Sequence, residues 1–136
     1  MTHWPKTGCS VIVSDGDRVL LIERGKDPMK GHWSLPGGSQ EPGETMEACA
    51  VRELLEETNL NATSIRFARV RDRMGHSADG ALTHHYVLAT FVAEAYTGNP
   101  QAGDDAADLG WFTLDEMDTL LTTQGTPEFI REILAG

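Results

Sequence analysis

Apolar and polar positions change period several times along this chain, and each change predicts an element. Residues 8–14, GCSVIVS, are apolar and β-branched; Asp15-Gly16-Asp17 turns the chain, and Val19-Leu20-Leu21-Ile22-Glu23 follows. Two such runs around a tight turn predict a β-hairpin. Both runs are almost continuously apolar, which predicts strands covered on two faces. Residues 24–31 hold Gly25, Pro28 and two lysines and read as an exposed loop. A short strand over residues 32–35 should follow, ended by Pro36, with Trp33 as a core residue. Gly37-Gly38 and Pro42-Gly43 then punctuate a glycine-rich loop on either side of Gln40-Glu41.

Residues 44–58 contain no proline or glycine and are fair to good helix formers, and Asn59 supplies a left-handed stop. At about 100° per residue, Ala48, Val51, Leu54, Leu55 and Thr58 share one side, predicted to face a core. Glu53, Glu56 and Glu57 gather on the other. Beyond the helix, residues 62–72 alternate as a strand, with Ile65, Phe67, Ala68 and Val70 expected inward. Residues 73–81 are polar and glycine-containing and read as a mobile loop near the site. Residues 84–96, HHYVLATFVAEAY, form the clearest strand of the second half. His84 and His85 are neighbours there and must face opposite ways, so surface or packing roles are assigned to both. His3, His32 and His76 show no metal-like spacing. Residues 97–109 form an acidic loop, residues 110–112 a final strand, and residues 113–121 and 126–134 two amphipathic helices. Thr113 with Glu116 fits a capping box, and Pro127 suits a first helical turn. Strands, a long helix, strands again and then helices predict an α/β fold with helices on both sides of a mixed sheet.

At 136 residues the chain fits one domain. A formal net charge of -10 argues against nucleic-acid binding, because phosphate contact needs a basic face. The first sixteen residues lack the apolar core of a signal peptide, and no run approaches the length of a membrane span; a soluble, cytoplasmic protein is expected. Cys9 and Cys49 lie in no CxxC or Cys/His pattern and read as small core residues, not a disulfide or a zinc site.

The acidic helix face changes this picture. Glu56 and Glu57 sit in the last turn, where the helix dipole disfavours anions by roughly 0.3–1 kcal/mol. Adjacent carboxylates repel as well, and only Arg52 at the edge offsets them, since Met46, Cys49 and Ala50 are uncharged. Local rules broken together mark functional sites. A divalent cation is the natural counter-charge: Mg²⁺ or Mn²⁺ takes oxygen ligands, and side chains three and four apart share a helix face.

Gly38, Glu44, Arg52-Glu53-Leu54, Glu56-Glu57 and Asn59-Leu60 stand at the spacing of the Nudix box, and the sequence resembles the Nudix hydrolases. Asn59 replaces the family's glycine, and asparagine also enters the left-handed region. The resemblance implies an α/β/α sandwich and Mg²⁺- or Mn²⁺-dependent hydrolysis of a nucleoside diphosphate linked to another group. It implies that Glu53 and Glu57 are principal metal ligands, Glu56 a ligand or nearby base, and the Gly38 carbonyl a further ligand. Arg52 is expected to orient an acid of the cluster, and Glu44 to tie the loop to the helix. The residue that deprotonates water differs among branches and stays unassigned. By the same resemblance Arg24 is a candidate contact to phosphate or base, and Asp104 or Asp105 a candidate auxiliary acid. LPGG, HYVL and AGDDA look similar to the ADP-ribose pyrophosphatase branch, which makes ADP-ribose or a related NDP-sugar the first expected substrate. The proline that marks some of its members about sixteen residues beyond the box is replaced by His76. Alternatives are ordinary or 8-oxo nucleoside triphosphates, or a module that binds a nucleotide without cleaving it. That branch is commonly dimeric, which leaves a homodimer open, although no stretch specifies an interface.

Overall fold

A computed structural model describes residues 4–27 and 29–135; His3 and Pro28 lie outside the described residues. Seven strands form a mixed sheet in the path β3-β2-β1-β6-β5, with β4 added to β1 and β7 added to β2. The hairpin is β1 (Lys6–Asp15) and β2 (Arg18–Arg24), joined at Ser14–Val19 and Asp15–Arg18. β1 runs parallel to β6 (Leu82–Thr97), and the other pairings between these strands are antiparallel.

Alternation along the central strands fills two cores. Cys9, Val11 and Val13 of β1, Leu20 of β2, and Ala89, Phe91 and Ala93 of β6 point to one face. There they meet Cys49, Ala50 and Leu54 of α1 (Met46–Thr58). Ile12, Val19, Leu21 and Val92 point the other way, onto Met117 of α2 (Leu114–Met117) and Phe129 and Ile130 of α3 (Thr126–Ala135). The continuous apolar runs are thus the mark of strands covered twice, and the architecture is the expected α/β/α sandwich. Among the described residues no helix is long and apolar enough to cross a membrane.

Several elements differ from expectation. The glycine-rich loop contains a strand, β4 (Gly37–Ser39), paired to Gly8–Ser10 of β1. Its glycines serve close backbone approach, which composition does not distinguish from turn-making. The helix begins at Met46, with Thr45 as N-cap accepting from the Ala48 N–H at 3.1 Å. It ends at Asn59, left-handed at φ 64. Its buried face is Cys49, Ala50, Leu54, Glu57 and Thr58, while Ala48 and Leu55 are exposed, so the core side is rotated toward the acids.

β5 (Asn61–His76) runs four residues further than predicted and takes in Arg73; a turn at Ser77–Gly80 joins it to β6. Exposed polar hairpins and loops share a composition. Phe67 and Val70 are more than half exposed, because register shifts, one of them between Phe67 and Arg69, break the alternation that placed them inward. Ile65 and Ala68 do pack against the two cores. β7 (Ala106–Thr113) is longer than predicted and pairs along β2. α2 has the predicted capping box but is short. The chain after it is drawn onto β3 (Trp33–Ser34), where the Trp33 N–H donates to the Leu121 carbonyl at 2.7 Å and the Thr123 N–H to the Trp33 carbonyl at 2.9 Å. Trp33 packs edge-on against Phe112, as a core residue.

Candidate active site

Three segments meet where α1 crosses β1 and β4. A Cβ on Gly38 would lie 2.5 Å from the Glu53 carboxyl carbon, and one on Gly8 would lie 2.6 Å from the Gly38 carbonyl oxygen. The carboxylate therefore rests directly on bare backbone. Glu57 reaches the same strand: its Oε1 accepts from the Gly37 N–H at 2.7 Å, and the residue is only 6% exposed.

Arg52 ties the loop to the helix. Its Nε and Nη2 donate to the two carboxylate oxygens of Glu44 at 2.6 and 2.9 Å, its Nη1 to Glu53 at 2.8 Å and to Glu56 at 3.2 Å, and its Nη2 to the Ser39 carbonyl at 3.0 Å. A fork of this kind fixes direction as well as distance. Glu44, held by that guanidinium and by the Glu41 N–H, is lowered to about 2.

The acids on the inner side behave oppositely. Burial raises Glu53 despite its bond to Arg52. Glu57 is pushed up to about 8, first by burial and then by the charges of Glu53 and Asp104; the Gly37 N–H and the Arg24 charge pull it down only in part. Both gain from a nearby cation.

The acidic loop is anchored to the end of α1. The Gly103 N–H donates to the Glu57 carbonyl at 3.0 Å and the Gln101 N–H to the Thr58 carbonyl at 2.8 Å, satisfying helix-end acceptors. The two candidate acids differ in their partners. Asp104, held at φ 52, adds its charge to those of Glu53 and Glu57, whereas Asp105 pairs with Lys26 at 2.7 Å. Arg24 lies near enough to Glu57 to lower it. Burial also pushes up the Cys9 and Cys49 thiols, whose sulfurs lie 3.1 Å apart behind Gly38; both cysteines are free.

Arg24, Glu53, Glu57, Asp104 and Asp105 line a cavity of about 860 Å³, within the usual range for small-molecule sites, while Glu44, Arg52 and Glu56 lie outside its lining. Glu53, Glu57 and Asp104 form one wall, and Gly37 and Gly38 part of the floor. Trp4, His84 and Tyr86 supply an aromatic side, with Trp4 edge-on to Tyr86 at 5.4 Å. His84 lies over Gly75 and faces the cavity, while His85 pairs with Asp72 at 2.9 Å. The alternation held, but its consequence for His84 needed the cavity to be seen. Arg71, in the strand expected over residues 62–72, and Arg73, in the stretch expected to be a loop, also line it. The available signal was their spacing of two, which puts both on one strand face.

Residues 4–133 match the NUDIX domain family. The chain belongs to the Nudix family. An ADP-ribose pyrophosphatase of Methanocaldococcus jannaschii is 34% identical over 118 residues, covering 85% of this chain and 66% of the relative. The nucleoside triphosphatase NudI of Enterobacter sp. is 31% identical, covering 87% of this chain and 88% of that one. The crystal structure of a MutT NUDIX hydrolase from Burkholderia pseudomallei superposes with a TM-score of 0.84 at 30% identity, covering 97% of this chain and 99% of that one. The expected family and fold are thus shown, and the chain is a Nudix hydrolase with named pyrophosphatase relatives.

Among the described residues no three acid, histidine or cysteine side chains converge into a closed metal cage. The donors present still suit a hard cation: Glu53 and Glu57 lie one helical turn apart, and their carboxylates offer oxygen ligands beside the Gly37-Gly38 backbone. Mg²⁺ usually takes a few carboxylates and completes its shell with water and substrate phosphate, so an open half-site fits.

Proposed function

We propose that this Nudix hydrolase cleaves the pyrophosphate linkage of a nucleoside diphosphate joined to a further group, with Mg²⁺ or Mn²⁺ as cofactor. The observation that carries the reading is the buried pair Glu53 and Glu57 over Gly37 and Gly38, both raised first by burial and further by neighbouring carboxylates, on one wall of a nucleotide-sized cavity. Glu53, Glu57 and the Gly38 carbonyl would hold the ion. When bound, it neutralises charge on the non-bridging phosphate oxygens.

The chain's own residues do the rest. Arg52 holds Glu53 and Glu56 in place against Glu44, so that their positions do not depend on substrate. Water adds to phosphorus, the bridging P–O bond breaks toward the leaving phosphate, and the released proton passes to a carboxylate outside the ion's ligands, Glu56 or Asp104. Asp105, committed to Lys26, is not used. The aromatic side of the cavity offers Trp4 and Tyr86 to a base.

ADP-ribose or another NDP-sugar is the first substrate reading, supported by the archaeal relative. A nucleoside triphosphate is the second, supported by the NudI relative and by the arginines of the cavity. Steady-state turnover of ADP-ribose, NDP-sugars, dinucleoside polyphosphates, NADH and (8-oxo-)dNTPs with each metal tests both. No turnover of any of them would leave a nucleotide-binding module in their place.

A further inference from the structure

The wall of the cavity away from the acids carries positive charge that the chain itself does not balance. Arg71 lays its guanidinium 3.9 Å above the Phe129 ring, which fixes the plane of the group. Its buried Nε has no hydrogen-bond partner among the described residues. Arg73, two positions along β5, touches the Met29 sulfur at 3.6 Å. Among the described residues neither arginine forms an ion pair with a carboxylate. The charges that act on them are Arg73 on Arg71, and Arg24 and Tyr86 on Arg73. Burial accordingly pushes Arg71 down to about 10 and lowers Arg73 as well.

Glu53 and Glu57 enter the cavity from α1, against Gly38 and Gly37 of β4. Arg71 and Arg73 enter it from β5, Arg71 stacked on Phe129 of α3 and Arg73 against Met29, so the arginine pair is set apart from the acids. A pyrophosphate over the acids would be neutralised there by the cation, and a neutral sugar reaching the arginines would leave two half-buried cations without an anion. Such an arrangement is unfavourable unless a ligand supplies the charge.

We propose that Arg71 and Arg73 form a subsite for a substrate phosphate outside the pyrophosphate linkage over the acids, and so select substrates with at least three phosphate groups. Each guanidinium presents a donor fork suited to phosphate oxygens, and the face of Phe129 holds one fork in place. The extra group is either the third phosphate of a linear chain or a phosphate monoester carried elsewhere on the substrate. The subsite rests on the reading of this cavity as a nucleotide site, and it sharpens the choice of substrate.

Two measurements on the full chain test it. Calorimetric titration in EDTA should show tripolyphosphate binding more tightly than pyrophosphate, and Arg71→Gln and Arg73→Gln should each reduce that binding roughly tenfold to hundredfold, the effect of one charge-assisted contact. With Mg²⁺ or Mn²⁺, two substrate pairs are compared by kcat/KM: nucleoside triphosphate against diphosphate, and ADP-ribose carrying a 2′-phosphate against ADP-ribose. A wild-type preference above about tenfold in the first pair, collapsing toward unity in the variants, assigns the chain phosphate; in the second pair it assigns the monoester. Absence of any preference in the wild type, or a preference unchanged in both variants, overturns the subsite and leaves the hydrolase reading intact. Arginine-dependent tripolyphosphate binding by a protein with no turnover would instead keep the subsite and overturn the hydrolase reading. Circular dichroism checks the fold of each variant, and Arg73→Gln, which leaves the Phe129 stack untouched, keeps the test decisive if Arg71→Gln does not fold.

Discussion

Glutamine in place of Glu57 should stabilise the metal-free protein at alkaline pH while removing its activity. The native carboxyl is raised from 4.5 to about 8. At about 1.4 kcal/mol per tenfold in the equilibrium, this disfavours the ionised native state by about 5 kcal/mol once pH exceeds 8. The sign follows from the direction of the shift: native stability from this residue is full below pH 4.5 and is lost as pH rises through about 8. Glutamine keeps an oxygen for the Gly37 N–H but buries an amide NH₂, at a cost of about 1–3 kcal/mol. The net gain at pH 9 is then about 2–4 kcal/mol, or roughly 10 °C in melting temperature for a chain of this size. At pH 5 the order should close or reverse. Urea unfolding of both proteins in EDTA at pH 5, 7 and 9 measures this directly. The same series with Mg²⁺ should stabilise the wild type more strongly as pH rises toward 8, and leave Glu57→Gln unmoved. A variant less stable than wild type at pH 9 in EDTA would refute the reasoning, because the carboxylate would then not be a charge the fold holds at its own expense.

Glu53→Gln should keep the fold and lower kcat/KM by about a hundredfold or more with either metal, which initial rates and a melting curve check together. Asp104→Asn should lower kcat/KM by about tenfold, whereas Asp105→Asn, which loses only an exposed pair with Lys26, should stay within about threefold. Glu44→Gln should flatten acid unfolding: the Glu44 carboxylate stabilises the fold above pH 4.5 and loses that effect as pH falls toward 2, so the wild type should lose more stability than the variant across that window.

The central strands and the acidic helix were legible because their signals are local. Apolar runs on β1 and β2 announce two cores, and box spacing announces the helix and the acids along it. The helix's buried face was less so. An amphipathic projection put Leu55 inward and Glu57 outward, yet Glu57 is buried and Leu55 exposed, because bare glycine backbone lets α1 approach β4 on its acidic side. Arg71 and Arg73 escaped notice for another reason. A polar strand carries the same letters as a loop, and only the bulge after Phe67 and the position of Phe129 decide which way its side chains turn. Asp104 and Asp105 are adjacent and chemically alike, so their separation depended on where Lys26 lies and on how the loop docks against α1.

Gly8 stands thirty residues ahead of the recognised motif and would escape any search for it, yet the antiparallel pairing of β1 with β4 has no room for a methyl group there. Grafting only the loop and helix onto another sheet would transplant an incomplete device. The unit that must travel together includes this upstream residue, whose sole contribution is to occupy no space.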